Sequence, residues 1–426
     1  MSCRCLLLIS LLLATPHVAS SQAVQPQTFQ PKTIQFKGDS EYTDAELEAA
    51  ADLKPGSVFT AAEMNDHAKL LVDSGVFEDV SFNFHGQDLI FQLVPSTDLY
   101  PIRLENLPIA SGKELNDRLH ARFPLFHGKV PTNGGLLDSV RKELESELAE
   151  IGIEASISTS PYEAPKVDKI TAMNFSITSP QVLVGEIEVT GASSTLAEKV
   201  RLTASKAVGS VYSTEGASNE LESSLTNFYR DRGYLKVEVH TTRQPKLVVD
   251  ADGVHVPFNV TINEGLQYKL LAVRLAPGLI VKQADFDKES NLKLGEVISL
   301  PTLRQAWAYI ARQYHNKGFM RAKIQPTATL NLTQGTIAYA VEVDPGPVYT
   351  MGALIVANIS DDLRDALKAE WKMPPGAVFS EEAIMGLKDA PSLAKIFEIA
   401  DLRYTLNLHD DVRTVDVDLR LVRKIP

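Results

Sequence analysis

Two stretches of the chain share one phrase: INEGLQYKLLAVRL, from Ile262 to Leu275, and VDPGPVYTMGALIV, from Val343 to Val356. In each, an acidic residue leads into a glycine, an aromatic follows, and an alternating apolar run begins. Gly346 follows Gly265 by about 81 residues, well beyond the ~20–50 residues of a solenoid unit. The repeated object is therefore the size of a small domain, and the phrase marks where one ends and the next begins.

Working backward from Gly265, the pattern reads as strand, helix, helix, strand, strand. VGEIEVTGA is an alternating strand with Val184, Ile187 and Val189, closed by Gly191. SSTLAEKVRLTAS reads as a helix with Ser194 as N-cap and Glu198 in its first turns. TEGASNELESSLTNFYRDRG places Leu221, Leu225, Phe228 and Tyr229 on one helical face and stops at Gly233. YLKVEVHT and VHVPFNVTI then alternate with period two. Forward from Gly265, the same order returns. YKLLAVRLA opens it, Gln283 to Leu292 is a short helix, and LRQAWAYIARQYHNKGFM carries Leu303, Trp307, Ile310 and Tyr314 to a stop at Gly318. RAKIQPTATL and TIAYAVEV close it. Three further copies are fainter. One runs from TIQFKG to DLIFQLV, with Gly75 as its stop. One runs from YPIRLENL to KITAMNFSI, with Leu137, Val140, Leu144 and Leu148 on one face, Gly152 as stop and an irregular PLFHGKVPTNGG between its helices. One begins at YTMGALIV, and Pro391 should break its second helix.

The chain has 426 residues, a formal net charge of −12 and 44% hydrophobic residues. Such acidity argues against nucleic-acid binding, which needs clustered Lys and Arg. The N-terminus, MSCRCLLLISLLLATPHVAS, has Arg4 before an apolar core and small residues after it. That is the layout of a secretory signal, too short in its core to span a bilayer. Its removal takes away both cysteines, Cys3 and Cys5, so the exported chain is expected to be soluble and free of thiols and disulfides.

The five strand–helix–helix–strand–strand copies, the junctions RDRGYLKVEV and HNKGFMRAKI, and the joints EGLQYKL and PGPVYTM resemble the POTRA domains of the Omp85 outer-membrane assembly family. The resemblance implies an α+β fold of tandem β-α-α-β-β repeats, each a three-stranded mixed sheet with two helices on one face. Alternating strands and single-striped helices require the same two layers. The expected organisation is a signal peptide over 1–23, a linker over 24–32, and repeats over 33–97, 98–180, 181–265, 266–346 and 347–426, the last divergent. In that family a β-barrel follows the repeats. With the sequence closing on LVRKIP no barrel is expected here, leaving the binding half of the activity.

No catalytic constellation is present. HExxH, GxSxG, Walker and GxGxxG patterns are missing, and His67, His85, His120 and His127 share no metal-ligand spacing. The chain is therefore expected to be no enzyme and to need no cofactor, metal or small-molecule substrate. The binding feature expected is the sheet edge, whose unpaired N–H and C=O groups are a template for an added strand. The resemblance places that edge on the strand after the second helix, here Val80, Ser81 and Phe82, and Leu235, Lys236, Val237, Glu238 and Val239. A third run, Ala322–Ile324, is blunted by Pro326. Gly75, Gly152, Gly233, Gly265, Gly318 and Gly346 are expected to be structural. The resemblance implies a periplasmic scaffold peripheral to the outer membrane, whose partners are unfolded outer-membrane proteins or a barrel-bearing assembly protein. The alternative is an envelope structural protein serving a secretion or division complex.

Overall fold

The computed structural model describes residues 28–424 except 39, 40, 55 and 358; the expected signal peptide and residues 24–27 of the expected linker lie outside the described residues, and in the rest of that stretch Thr28–Phe29 pairs with Phe59–Thr60. The chain divides into two compact units, one running to Val182 with residues 249–254, the other comprising 183–248 and 255 onward.

In the first unit, Thr33–Lys37 opens a sheet, helices Asp44–Ala50 and Ala61–Asp73 follow, and strands Phe77–His85 and Asp88–Pro95 complete it. Both helices start on capping boxes. Thr43 and Glu46 bond reciprocally at the first, Thr60 and Glu63 at the second, satisfying amides that would otherwise lack partners. The closing strand lies in the centre, parallel to the opening strand and antiparallel to the one between. The last strand of the chain order is thus the middle of the sheet, and the strand after the second helix is an edge. The next passage repeats the order with Leu99–Leu104, Lys113–Arg122, Gly135–Glu150, Ser156–Glu163 and Ile170–Ser179. Leu137, Val140, Leu144 and Leu148 are buried, as the sequence periodicity requires. The stretch read as irregular contains a short strand, Lys129–Pro131, which pairs with the opening strand and makes this sheet four-stranded.

Three more sheets follow in the chain, each with its closing strand central: Gly253–Asn263, Thr336–Asp344 and Thr414–Arg423. In the middle one, Leu270 and Val273 of the opening strand, Phe286 of the first helix, Leu303, Ala306, Ile310 and Tyr314 of the second, and Ile337 and Val341 of the closing strand share one core. Two layers closed on one face bury every apolar stripe at once. Trp307 is half-buried at its margin, between Phe286 and Tyr339. In the last passage Pro391 does break the second helix, into Glu382–Lys388 and Ala394–Ile399 with a 3-10 turn between.

Candidate functional site

The edge strand of the first sheet is Phe77–His85, and Val80, Ser81 and Phe82 lie in it opposite Leu93, Gln92 and Phe91. Phe82 and Phe84 lean on the core side, against Phe91 and Phe29, while Ser81 and Asn83 are exposed. In the third sheet the edge strand is Glu238–Arg243, three residues later than the sequence run indicates. Glu238 and Val239 are in it, opposite Asn263 and Ile262. Leu235, Lys236 and Val237 are not.

The reason lies in the turn. After Gly233 the Tyr234 amide bonds back to Tyr229 and that of Val237 to Tyr234, so the chain turns a second time before it extends. Leu235 is apolar, as a strand residue of its own repeat is expected to be. Its side chain packs instead on the core of the following repeat. One repeat later Met320 does the same, entering the core beneath Tyr349 and Phe379, and the strand there starts at Lys323 and not at Ala322. Pro326 sits within that edge strand, opposite Val341.

The third edge is partly closed. Glu222, on the second helix, accepts a hydrogen bond from the Thr241 amide at 2.7 Å. Strand amides alternate in direction, so Val239 N–H points off the sheet as Thr241 N–H does, while Glu238, His240 and Thr242 face the closing strand. The second sheet uses the same device: Glu145 on its second helix accepts from the Ile157 amide at 2.9 Å. In both, a carboxylate oxygen lies where an added strand would put a carbonyl.

The joints are built alike. Gly233 has φ +85°, and a Cβ there would meet Val297 Cγ1 at 2.7 Å and the Ile298 and Tyr268 carbonyls at 3.1 Å. Gly318 stands in the same relation to Val378 and the Tyr349 carbonyl. Tyr268 and Tyr349 donate their amides to the Gly233 and Gly318 carbonyls at 2.9 and 2.8 Å. Gly75, at φ +80°, approaches Pro131 and Asn133. Gly152, Gly265 and Gly346 also have positive φ. Across the last joint Arg321 forks onto Asp410, and the Tyr349 hydroxyl donates to the same carboxylate at 2.5 Å. Those bonds hold the Asp410 carboxyl below the usual range.

The residues that receive these glycines belong to a signal that sequence reading missed. GSVFT (56–60), GKVPT (128–132), GSVYS (209–213), GEVIS (295–299) and GAVFS (376–380) occur once per repeat. Each glycine has φ near +80°. Thr60, Ser213, Ser299 and Ser380 accept amides at the start of the second helix. Three of the valines, Val211, Val297 and Val378, bridge to the opening strand, and two of them meet the preceding repeat's glycine.

Two histidines without ligand spacing in sequence also converge: His120 and His127 of the second repeat both face Glu46 of the first. Burial works against the charge on Glu46, yet hydrogen bonds from Thr43 and His127 outweigh it and hold the carboxyl at about 2. Burial pushes the neighbouring Tyr42 phenol up to about 12, with the charges of Glu41 and Glu46 adding to it.

The POTRA family, described as surface antigen variable number repeat, matches residues 32–95 and 182–265. A protein of Treponema pallidum (strain Nichols) named as an outer membrane protein assembly factor is 22% identical over 200 residues, 47% of this chain and 23% of that one. Outer membrane protein assembly factor BamA of Buchnera aphidicola is 21% identical over 394 residues, 88% of this chain and 61% of that one. The chain thus spans less than two thirds of either relative. The crystal structure of Haemophilus influenzae BamA POTRA3-5 aligns over 57% of this chain and 97% of its own, with a TM-score of 0.44 and 17% identity.

Proposed function

We propose that this chain, whose residues 32–95 and 182–265 match the POTRA family, is a non-enzymatic, exported scaffold in outer-membrane protein assembly, holding unfolded barrel segments or a barrel-bearing partner by β-augmentation at its sheet edges. The observation that carries the reading is the placement of the strand after each second helix at a sheet edge, with the Val239 amide aimed off the sheet beside Thr241. An added strand would bond to that row through its main chain, so affinity would depend little on client sequence, as a carrier of many unfolded segments requires. The carboxylates of Glu222 and Glu145 then act as placeholders that blunt the edges against self-association until a client carbonyl replaces them.

Glu222→Ala removes one placeholder and leaves Thr241 N–H for a client. With ~1 kcal/mol for a net hydrogen bond, affinity for an unfolded barrel-strand peptide is expected to rise about fivefold in a fluorescence titration. A pull-down from detergent-solubilised envelopes should enrich outer-membrane barrel proteins with the parent, and more so with the variant. Cell-wall or secretion components in their place, with no change on Glu222→Ala, would reject the proposal.

A further inference from the structure

The geometry points to a transition-metal site, of the kind that takes zinc(II), formed by Glu46, His120 and His127 where the first repeat meets the second. Glu46 sits in the first turn of the helix Asp44–Ala50. Its Oε2 is engaged by the Thr43 amide at 2.7 Å and the Thr43 hydroxyl at 2.8 Å, which fixes the carboxylate and leaves Oε1 facing outward. Oε1 lies 3.0 Å from His127 Nε2 and 3.5 Å from His120 Nε2. All three ligand atoms fall within 4.8 Å of one another. Tetrahedral zinc with bonds of ~2.0–2.1 Å separates its ligand atoms by about 3.3 Å, so both pairs involving Glu46 already stand near the required spacing.

The second layer is also in place. His120 Nδ1 lies 3.0 Å from the Phe126 carbonyl oxygen, which can only accept, so Nδ1 carries a proton and Nε2 is the nitrogen left to face the cluster. A histidine held through its other nitrogen by a carbonyl is how metal-binding imidazoles are oriented. The His120 and His127 rings stand edge to face at 4.9 Å, and Tyr42 packs on His127 at 4.7 Å. His120 is 46% exposed, so it has room to turn onto an ion, and the cluster opens into a surface cleft shared with Asn116, Asp117 and Gly128 that gives an entry path and a solvent position for a fourth ligand. Two imidazoles and one carboxylate suit zinc and its borderline neighbours, whereas magnesium and calcium take oxygen ligands. Glu46 comes from one repeat and both histidines from the next, so an ion held here ties the two together.

The test is isothermal titration of zinc chloride into the full chain, expressed without an affinity tag and stripped by chelator. One equivalent should bind, magnesium should not compete, and cobalt(II) in its place should give the visible absorption of a tetrahedral site. His127→Ala should weaken zinc binding at least tenfold. Glu46→Gln should also weaken it while keeping the helix start, because glutamine serves in a capping box. Circular dichroism of each variant should match the parent. His315→Ala, at the end of the helix Leu300–His315 in the fourth repeat, should bind as the parent does. Absence of binding by the parent, or equal binding by the parent, His127→Ala and Glu46→Gln, would overturn the assignment.

Discussion

Gly191→Ala is expected to cost the third repeat about 3 kcal/mol, from left-handed backbone strain of ~1–2 kcal/mol and overpacking of similar size. Gly191 has φ +83°, and a Cβ there would stand 2.0 Å from the carbonyl oxygen of Ile262 in the central closing strand. Neither side can yield easily, because Ile262 is paired with Val239 on its other flank. The same close approach recurs at Gly38, where a Cβ would meet the Leu93 carbonyl at 2.2 Å. Hydrogen exchange in the full chain reads the effect locally: amides of Gly253–Asn263 should lose protection while those of Thr336–Asp344 keep theirs. Unchanged protection would mean that the two strands have more room than the structure gives them.

Gly233→Ala should have the second largest effect, about 2–3 kcal/mol, and it should fall on the joint. The comparison that isolates the contact is Gly209→Ala. Gly209 has φ +79° but nothing within 4 Å of an added Cβ, so its substitution carries backbone strain alone. Gly233→Ala carries that strain and also pushes on Val297 and two carbonyls of the next repeat. Calorimetry of the full chain should show the third and fourth repeats unfolding more independently with Gly233→Ala than with Gly209→Ala. Equal traces would place the glycine's role in ending its helix and not in the joint.

The repeat order was legible because each element carries its own period. Leu137, Val140, Leu144 and Leu148 could only be one helix face, and Val256, Phe258, Val260 and Ile262 only one strand face; all eight are buried. The start of the third edge strand was not legible. Leu235 is apolar for the sake of the following repeat's core, and period-two reading assigns it to its own strand. The short glycine–valine segment between the helices was visible five times over, but each copy spans so few residues that no period develops within it. Only alignment of the copies with one another brings it out. The Glu222 and Glu145 caps lie 19 and 12 residues from the amides they hold, and Glu46 lies 81 from His127. Contacts at such separations come from the fold and leave no local pattern.

Under the proposed function, clients add a strand to the sheet edges. Amide-resolved hydrogen exchange of the full chain, with and without an unfolded barrel-strand peptide, tests it most directly. Slowed exchange is expected at Val239 and Thr241 and along Phe77–His85, with the outward faces of the helices Ala61–Asp73 and Gly216–Arg230 unchanged. Protection confined to those helix faces or to the repeat joints, with Val239 and Thr241 exchanging as in the free protein, would contradict it.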